Sequence, residues 1–191
     1  MSTTVQNQAA TMVPATYDPV ARAAHWLTFI LVAAEFTVGW CMPDIEWGTE
    51  PTGLIGIHLV LGSSLLIVVL FRLAWRFTHR APPPLLSLAS WQRWSAGVTH
   101  FALYGLLLAM SLSGLAAAAA RQWPVRAFGF LRLPGIVAPE AKIGFELGDI
   151  HADSLTWVLL GVICLHILAA LYHRFIKHDA VLKRMLPSLG P

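Results

Sequence analysis

Four long apolar runs constrain this chain more than any other feature. They cover about residues 23–40, 54–71, 101–120 and 155–172, and each approaches or exceeds the roughly 18 residues that a membrane-crossing helix needs. The breaks are sharp. Pro43, Asp44, Glu46, Glu50 and Pro51 stop the first run, and Arg72, Arg76, Arg80 and Pro82–Pro84 stop the second. Arg121, Pro124 and Arg126 end the third, and Arg174 and Lys177 end the fourth. Strands of a membrane barrel are shorter, alternate in polarity and come in larger numbers. A helix satisfies its own backbone hydrogen bonds in lipid. The expected fold is therefore all-α, an integral membrane four-helix bundle.

Composition agrees. Only 12% of the 191 residues are charged and mean hydropathy is +0.64, about half the charge of a soluble domain. The lipid bilayer is the main solvent, and a net charge of +3 gives no footprint for nucleic acid. Residues 1–18 read as a disordered polar tail without signal-peptide character. Residues 19–187 form one transmembrane domain, and 188–191 a short C-terminal tail. Cys41 and Cys164 fall at different depths and form no CxxC or CxxCH pattern, which excludes a disulfide and covalent haem attachment.

Lysine and arginine set the orientation. Nine fall on the side of the chain termini (Arg22, Arg72, Arg76, Arg80, Arg93, Arg174, Lys177, Lys183, Arg184) and four on the other (Arg121, Arg126, Arg132, Lys142). The positive-inside rule then places both termini in the cytoplasm. Trp40, Trp47, Trp91, Trp94 and Trp123 lie near span ends, where interfacial aromatics belong.

This topology gives the histidines depths. His25 lies near the inner end of span one and His58 near the outer end of span two. His151 lies at the outer end of span four, and His166 deeper. In a regular helix, the fifteen residues between the last two give a rise of roughly 22 Å and about 60° of rotation. His58 can therefore meet His151 at an outer level, and His25 can meet His166 at an inner one. Ionisable residues at membrane depth are costly and usually functional. Neutral imidazole offers a lone pair to iron, and two axial imidazoles on a haem leave no open position, which suits electron transfer. Zinc competes, but its closed sites bring cysteine or closely spaced histidines. A single histidine near a helix end is ordinarily an interfacial polar residue; the argument rests on two pairs.

Several stretches carry a family resemblance. They are Tyr17-Asp18-Pro19-Val20-Ala21-Arg22-Ala23-Ala24-His25-Trp26-Leu27, Ile57-His58 to Arg72, His100-Phe101-Ala102-Leu103-Tyr104, Leu165-His166 to His173, and the ending His173-Arg174-Phe175-Ile176-Lys177-His178-Asp179 with Leu182-Lys183-Arg184-Met185-Leu186-Pro187. In this order, from Tyr17 to Pro187, the chain resembles the bacterial cytochrome b561 family of four-helix dihaem membrane proteins. The resemblance implies two b haems per chain, ligated by His25, His58, His151 and His166, in a multi-pass protein of the bacterial inner membrane. Some family members oxidise superoxide and pass the electron to ubiquinone, so an outer donor such as superoxide and a quinone acceptor are the implied partners. Related folds anchor soluble hydrogenases or dehydrogenases, which leaves a soluble redox partner as the alternative. A four-span scaffold or transporter is the non-redox alternative.

Other residues remain open at this stage. His100 and His173, with Tyr104, either line a quinone pocket beside the inner haem or bond haem propionates or headgroups. Arg22 and Arg174 either pair with propionates or anchor to phospholipid. The stretch from Arg121 to Asp153 reads as a long, partly apolar loop. Its segment from Trp123 to Gly129 resembles a family loop that covers the outer haem, and its basic residues either steer a small anion or are offset by Glu140, Glu146, Asp149 and Asp153. Glu35, inside span one, departs from the family pattern. It is either neutral and hydrogen-bonded, or reaches a polar cavity with a part in proton uptake.

Overall fold

The computed structural model describes residues 16–85 and 88–186. It contains α1 (Pro19–Cys41), α2 (Gly53–Thr78), α3 (Ser90–Ala120), a hairpin of β1 (Arg126–Ala127) and β2 (Leu131–Arg132), α4 (Lys142–Ile150), a π-helical turn (His151–Leu155), α5 (Thr156–Phe175) and a 3-10 turn (Leu182–Arg184). Four helical segments are long and apolar enough to cross a membrane: α1, α2, α3 and the continuous stretch from Lys142 to Phe175. The fold is an all-α membrane bundle, and the four expected spans lie within these helices.

Local sequence sets the helix ends. Asp18 caps α1 by accepting the Ala21 N–H at 2.9 Å, and Pro19 occupies the first helical position, where its missing N–H costs nothing. This backbone bond, helped by the Trp75 indole, holds the Asp18 carboxyl below its usual range. Met42 closes α1 just before Pro43. Gln92 folds back to accept the Ala89 N–H at 3.0 Å and so starts α3. Of the expected N-terminal tail, residues 1–15 lie outside the described residues, as do 187–191. Tyr17 and Asp18 belong to the folded body: the Tyr17 N–H reaches the Arg184 carbonyl at 3.2 Å, and Trp75 Nε1 donates to Asp18 at 3.1 Å.

Two segments are more helical than the sequence suggested. α3 begins well before Phe101, and the expected loop from Arg121 to Asp153 ends in a helix. In α4, Lys142 and Glu146 pair one turn apart at 3.1 Å. More decisive is the contact with α3. A Cβ on Gly144 would come within 2.5 Å of Ala120 Cβ and 2.9 Å of the Ala116 carbonyl oxygen; one on Gly148 would meet Ala117 Cβ at 3.1 Å. Glycines four residues apart thus let α4 lie directly on an alanine face of α3, the close approach that small residues permit in membranes.

The first part of the same loop turns back on the bundle. Its hairpin pairs Arg126 with Arg132 and Ala127 with Leu131. Val125 and Ala127 are buried, and the Phe128 N–H donates to Ser64 Oγ of α2 at 2.7 Å.

Neighbouring helices follow chain order. α1 packs on α2, α2 on α3, and α3 on α4 and α5. Among the described residues, no Cα of α5 comes within 8 Å of a Cα of α1 or α2. The buried core is small and lies at mid-depth: Leu65 and Val69 of α2, Leu107 of α3 and Leu159 of α5. Large apolar side chains such as Ile30, Phe101, Trp157 and Leu168 face outward, as lipid contact requires. Cys41 and Cys164 are free.

Replacing Gly144 with leucine should destabilise the bundle by about 1–3 kcal/mol through overpacking, read as a lower unfolding midpoint in detergent. Leucine at Gly161, where an added Cβ meets nothing within 4 Å, should leave the midpoint nearly unchanged.

Candidate functional site

The standoff between α5 and the first two helices is bridged by imidazoles at two levels. At the end bearing the interhelical hairpin, the His58 and His151 ring centroids are 5.9 Å apart with planes at 87°. At the end bearing the chain termini, His25 and His166 are 6.3 Å apart at 61°. The core cluster of Leu65, Val69, Leu107 and Leu159 lies between the two levels. The structure brings together the residues that the depth argument paired.

These separations suit a shared metal. Two metal–nitrogen bonds of about 2.0 Å, plus roughly 1.1 Å from each nitrogen to its ring centre, put facing imidazole centroids about 6.2 Å apart. Among the described residues, no three His, Cys, Asp or Glu side chains gather as they would around a bare metal ion. Two imidazoles fill half of a tetrahedral zinc but complete a haem iron, whose other four positions are porphyrin nitrogens.

The surroundings of the two hairpin-end rings fit ligation through Nε2. His151 Nδ1 lies 2.9 Å from the Met110 carbonyl oxygen, with Ser113 Oγ at 3.3 Å. A carbonyl can only accept, so this contact places the proton on Nδ1 and leaves the Nε2 lone pair free. Gly114 makes room for the ring, since a Cβ there would sit 2.9 Å from His151 Cε1. His58 Nδ1 lies 2.6 Å from Glu35 Oε2. The acid singled out in the sequence therefore faces an imidazole.

The helix is not regular at His151. The π turn from His151 to Leu155 holds one residue more than an α turn, and the Thr156 hydroxyl donates to the His151 carbonyl oxygen at 2.7 Å. This corrects the regular spacing assumed from sequence. Fifteen residues act as about fourteen α-helical steps, so the rings of His151 and His166 diverge by about 40° in the opposite sense rather than 60°. Both still face the standoff.

A third imidazole belongs to the terminal level. His100 is 5.3 Å from His166, nearer than His25. That is shorter than axial ligation across one iron requires, so His25 fits the opposing position better. His25, Arg72, Arg76, His100 and Tyr104 line a cavity of about 300 Å³ that opens at the terminal end. Arg72 sits over the Tyr104 ring at 5.3 Å and places Nη2 3.4 Å from His25 Nδ1. His173 stands apart from this cavity: its Nδ1 meets Asp179 Oδ2 at 2.5 Å, which ties the end of α5 to the following turn. The structure thus separates His100 and Tyr104 from His173.

The remaining cations divide in the same way. Arg22 Nη1 donates to the Leu186 carbonyl oxygen at 3.0 Å and holds the C-terminal segment. Arg121 lies over the Trp123 and Phe145 rings, and Lys142 is paired with Glu146. Arg126 and Arg132 stay exposed, facing one another across the hairpin.

Comparison with known proteins gives this geometry a family. The family model for prokaryotic cytochrome b561 matches residues 16–188. Cytochrome b561 homolog 2 of Escherichia coli (strain K12) is 32% identical over 180 residues, covering 92% of this chain and 94% of that protein. Cytochrome b561 homolog 1 of the same organism is 28% identical, over 85% of this chain and 92% of its own length. A probable superoxide oxidase CybB of Yersinia pestis is also 28% identical, over 86% and 92%. With four membrane-spanning helices and a family match along nearly its whole length, this chain belongs to the prokaryotic cytochrome b561 family of haem b-binding membrane electron-transfer proteins.

Proposed function

We propose that this protein is a dihaem cytochrome that carries electrons across the bacterial inner membrane, from a donor at the hairpin end to ubiquinone at the terminal end. The observation that carries the proposal is the double bridging of the standoff by His58 with His151 at 5.9 Å and His25 with His166 at 6.3 Å. Each pair would hold one b haem, which supplies a one-electron ferric–ferrous couple with no open coordination position. The excess of cations on the terminal side makes that side cytoplasmic.

The chain's own residues shape the two ends differently. At the terminal end, His100 and Tyr104 offer hydrogen bonds to a quinone oxygen, and Arg72 and Arg76 supply positive charge. A cavity of about 300 Å³ is at the small end of ligand pockets and suits a head group rather than a whole lipid. At the hairpin end, Arg126 and Arg132 stand like-charged and directly opposed, an arrangement that costs stability unless an anion is drawn to it. With Arg121 and Lys142 engaged elsewhere, this pair is the best-placed positive surface to steer superoxide. The superoxide oxidase name of one relative supports that donor.

Purified protein should contain two haems per chain. His58→Ala and His151→Ala should each remove the same haem, and His25→Ala and His166→Ala the other, by pyridine haemochrome quantitation and visible spectra. His100→Ala should keep both haems but slow electron delivery to a short-chain ubiquinone by tenfold or more; loss of a haem would instead make His100 a ligand. Reduction of the protein by superoxide should need no soluble partner and should slow as ionic strength rises. Charge-neutral replacement of Arg126 and Arg132 together should abolish most of that salt dependence.

A further inference from the structure

Three of the four paired imidazoles have a defined group beside Nδ1, and the three groups differ in charge. His58 faces the Glu35 carboxylate at 2.6 Å, and His151 faces the Met110 carbonyl oxygen at 2.9 Å. His25 faces the Arg72 guanidinium at 3.4 Å. The hairpin-end pair thus sees an acidic side chain and the negative end of a peptide dipole. The terminal-end pair sees a cation.

Glu35 has no other evident task. It lies on α1 in the apolar stretch from Val32 to Val38, and its side chain is 12% exposed. Its Oε1 is buried without a hydrogen-bond partner. The approach of Oε2 to His58 Nδ1 is short but falls outside regular hydrogen-bond angles, so it is a close polar contact rather than an ideal hydrogen bond. An acid at this depth is costly unless its charge is used. A carboxylate beside Nδ1 fixes which nitrogen carries the proton and raises the basicity of the other. It also favours the ferric state of an iron bound there, which carries one more positive charge than the ferrous state. In a low-dielectric interior that effect is weakly screened. Arg72 acts in the opposite sense at the other level. With Nε2 on iron, His25 Nδ1 is a donor facing a donor, so Arg72 contributes charge there rather than a hydrogen bond.

We propose that Glu35 is the positioning residue for His58 and makes the hairpin-end haem the lower-potential of the two, with Arg72 raising the terminal-end haem, so that electrons settle at the terminal end. This rests on the ligand pairs proposed above, and the test separates the two ideas.

The experiment is a spectroelectrochemical titration of the purified holoprotein, with His151→Ala used to identify the hairpin-end haem without touching Glu35. The midpoint missing from His151→Ala should be the lower one. Glu35→Gln, which keeps the size but removes the charge, should favour reduction of that haem about tenfold or more, a rise of at least about 59 mV, and leave the other midpoint in place. Two unmoved midpoints in Glu35→Gln, with both haems retained, would overturn the role of Glu35 while leaving the ligand pairs intact. Retention of both haems by His151→Ala would overturn the pairs themselves. If Glu35→Gln does not assemble, the order of midpoints in the natural chain still decides, because a higher potential at the hairpin end contradicts the proposal.

Discussion

The standoff of α5 from α1 and α2 is the constraint on which the rest of the molecule depends. Helices in lipid gain little from burying apolar surface against one another and associate through close packing and polar contacts. Here the close packing is concentrated between α3 and α4, where Gly144 and Gly148 lie on Ala120 and Ala117. That contact fixes the Lys142–Phe175 helix against α3 and leaves its histidine-bearing face directed at the first two helices. The two seams of imidazole pairs are then the main link across the bundle, with only a small apolar core between them. Such a bundle has its imidazole pairs as part of its packing, not added to a finished core.

Within that frame the two levels are chemically unlike. The hairpin-end level is held by a carboxylate, a peptide carbonyl, a fitted glycine and a π turn whose carbonyl is bonded by Thr156. The terminal-end level has a guanidinium, a third imidazole and a cavity open at its edge. The first arrangement orients its rings closely; the second leaves room for a diffusible reactant. This division is the basis of the direction of electron flow proposed above.

Much of this was legible in the sequence because lipid imposes simple rules. Apolar run length gave the four spans, and depth counting paired His58 with His151 and His25 with His166. What escaped was amphipathic or irregular. Residues 90–99 and α4 carry Arg93, Lys142, Glu146 and Asp149, so hydropathy hid their helical character; two glycines four apart, facing an alanine run at the end of α3, were the missed signal. The π turn has no compositional signature beyond a threonine five residues after His151. Glu35 could have been placed by the argument applied to the histidines: ten residues beyond His25 is about 15 Å along α1, close to the level of His58. The partner of His173 was not legible either, because a shared helix face with His166 says nothing about Asp179, which arrives from the following turn.

Iron anomalous scattering from crystals of the haem-loaded protein tests the central claim most directly. The account predicts two iron peaks per chain, one between the rings of His58 and His151 and one between those of His25 and His166. A single peak, or an iron bound between His100 and His166 with His25 turned away, would contradict it.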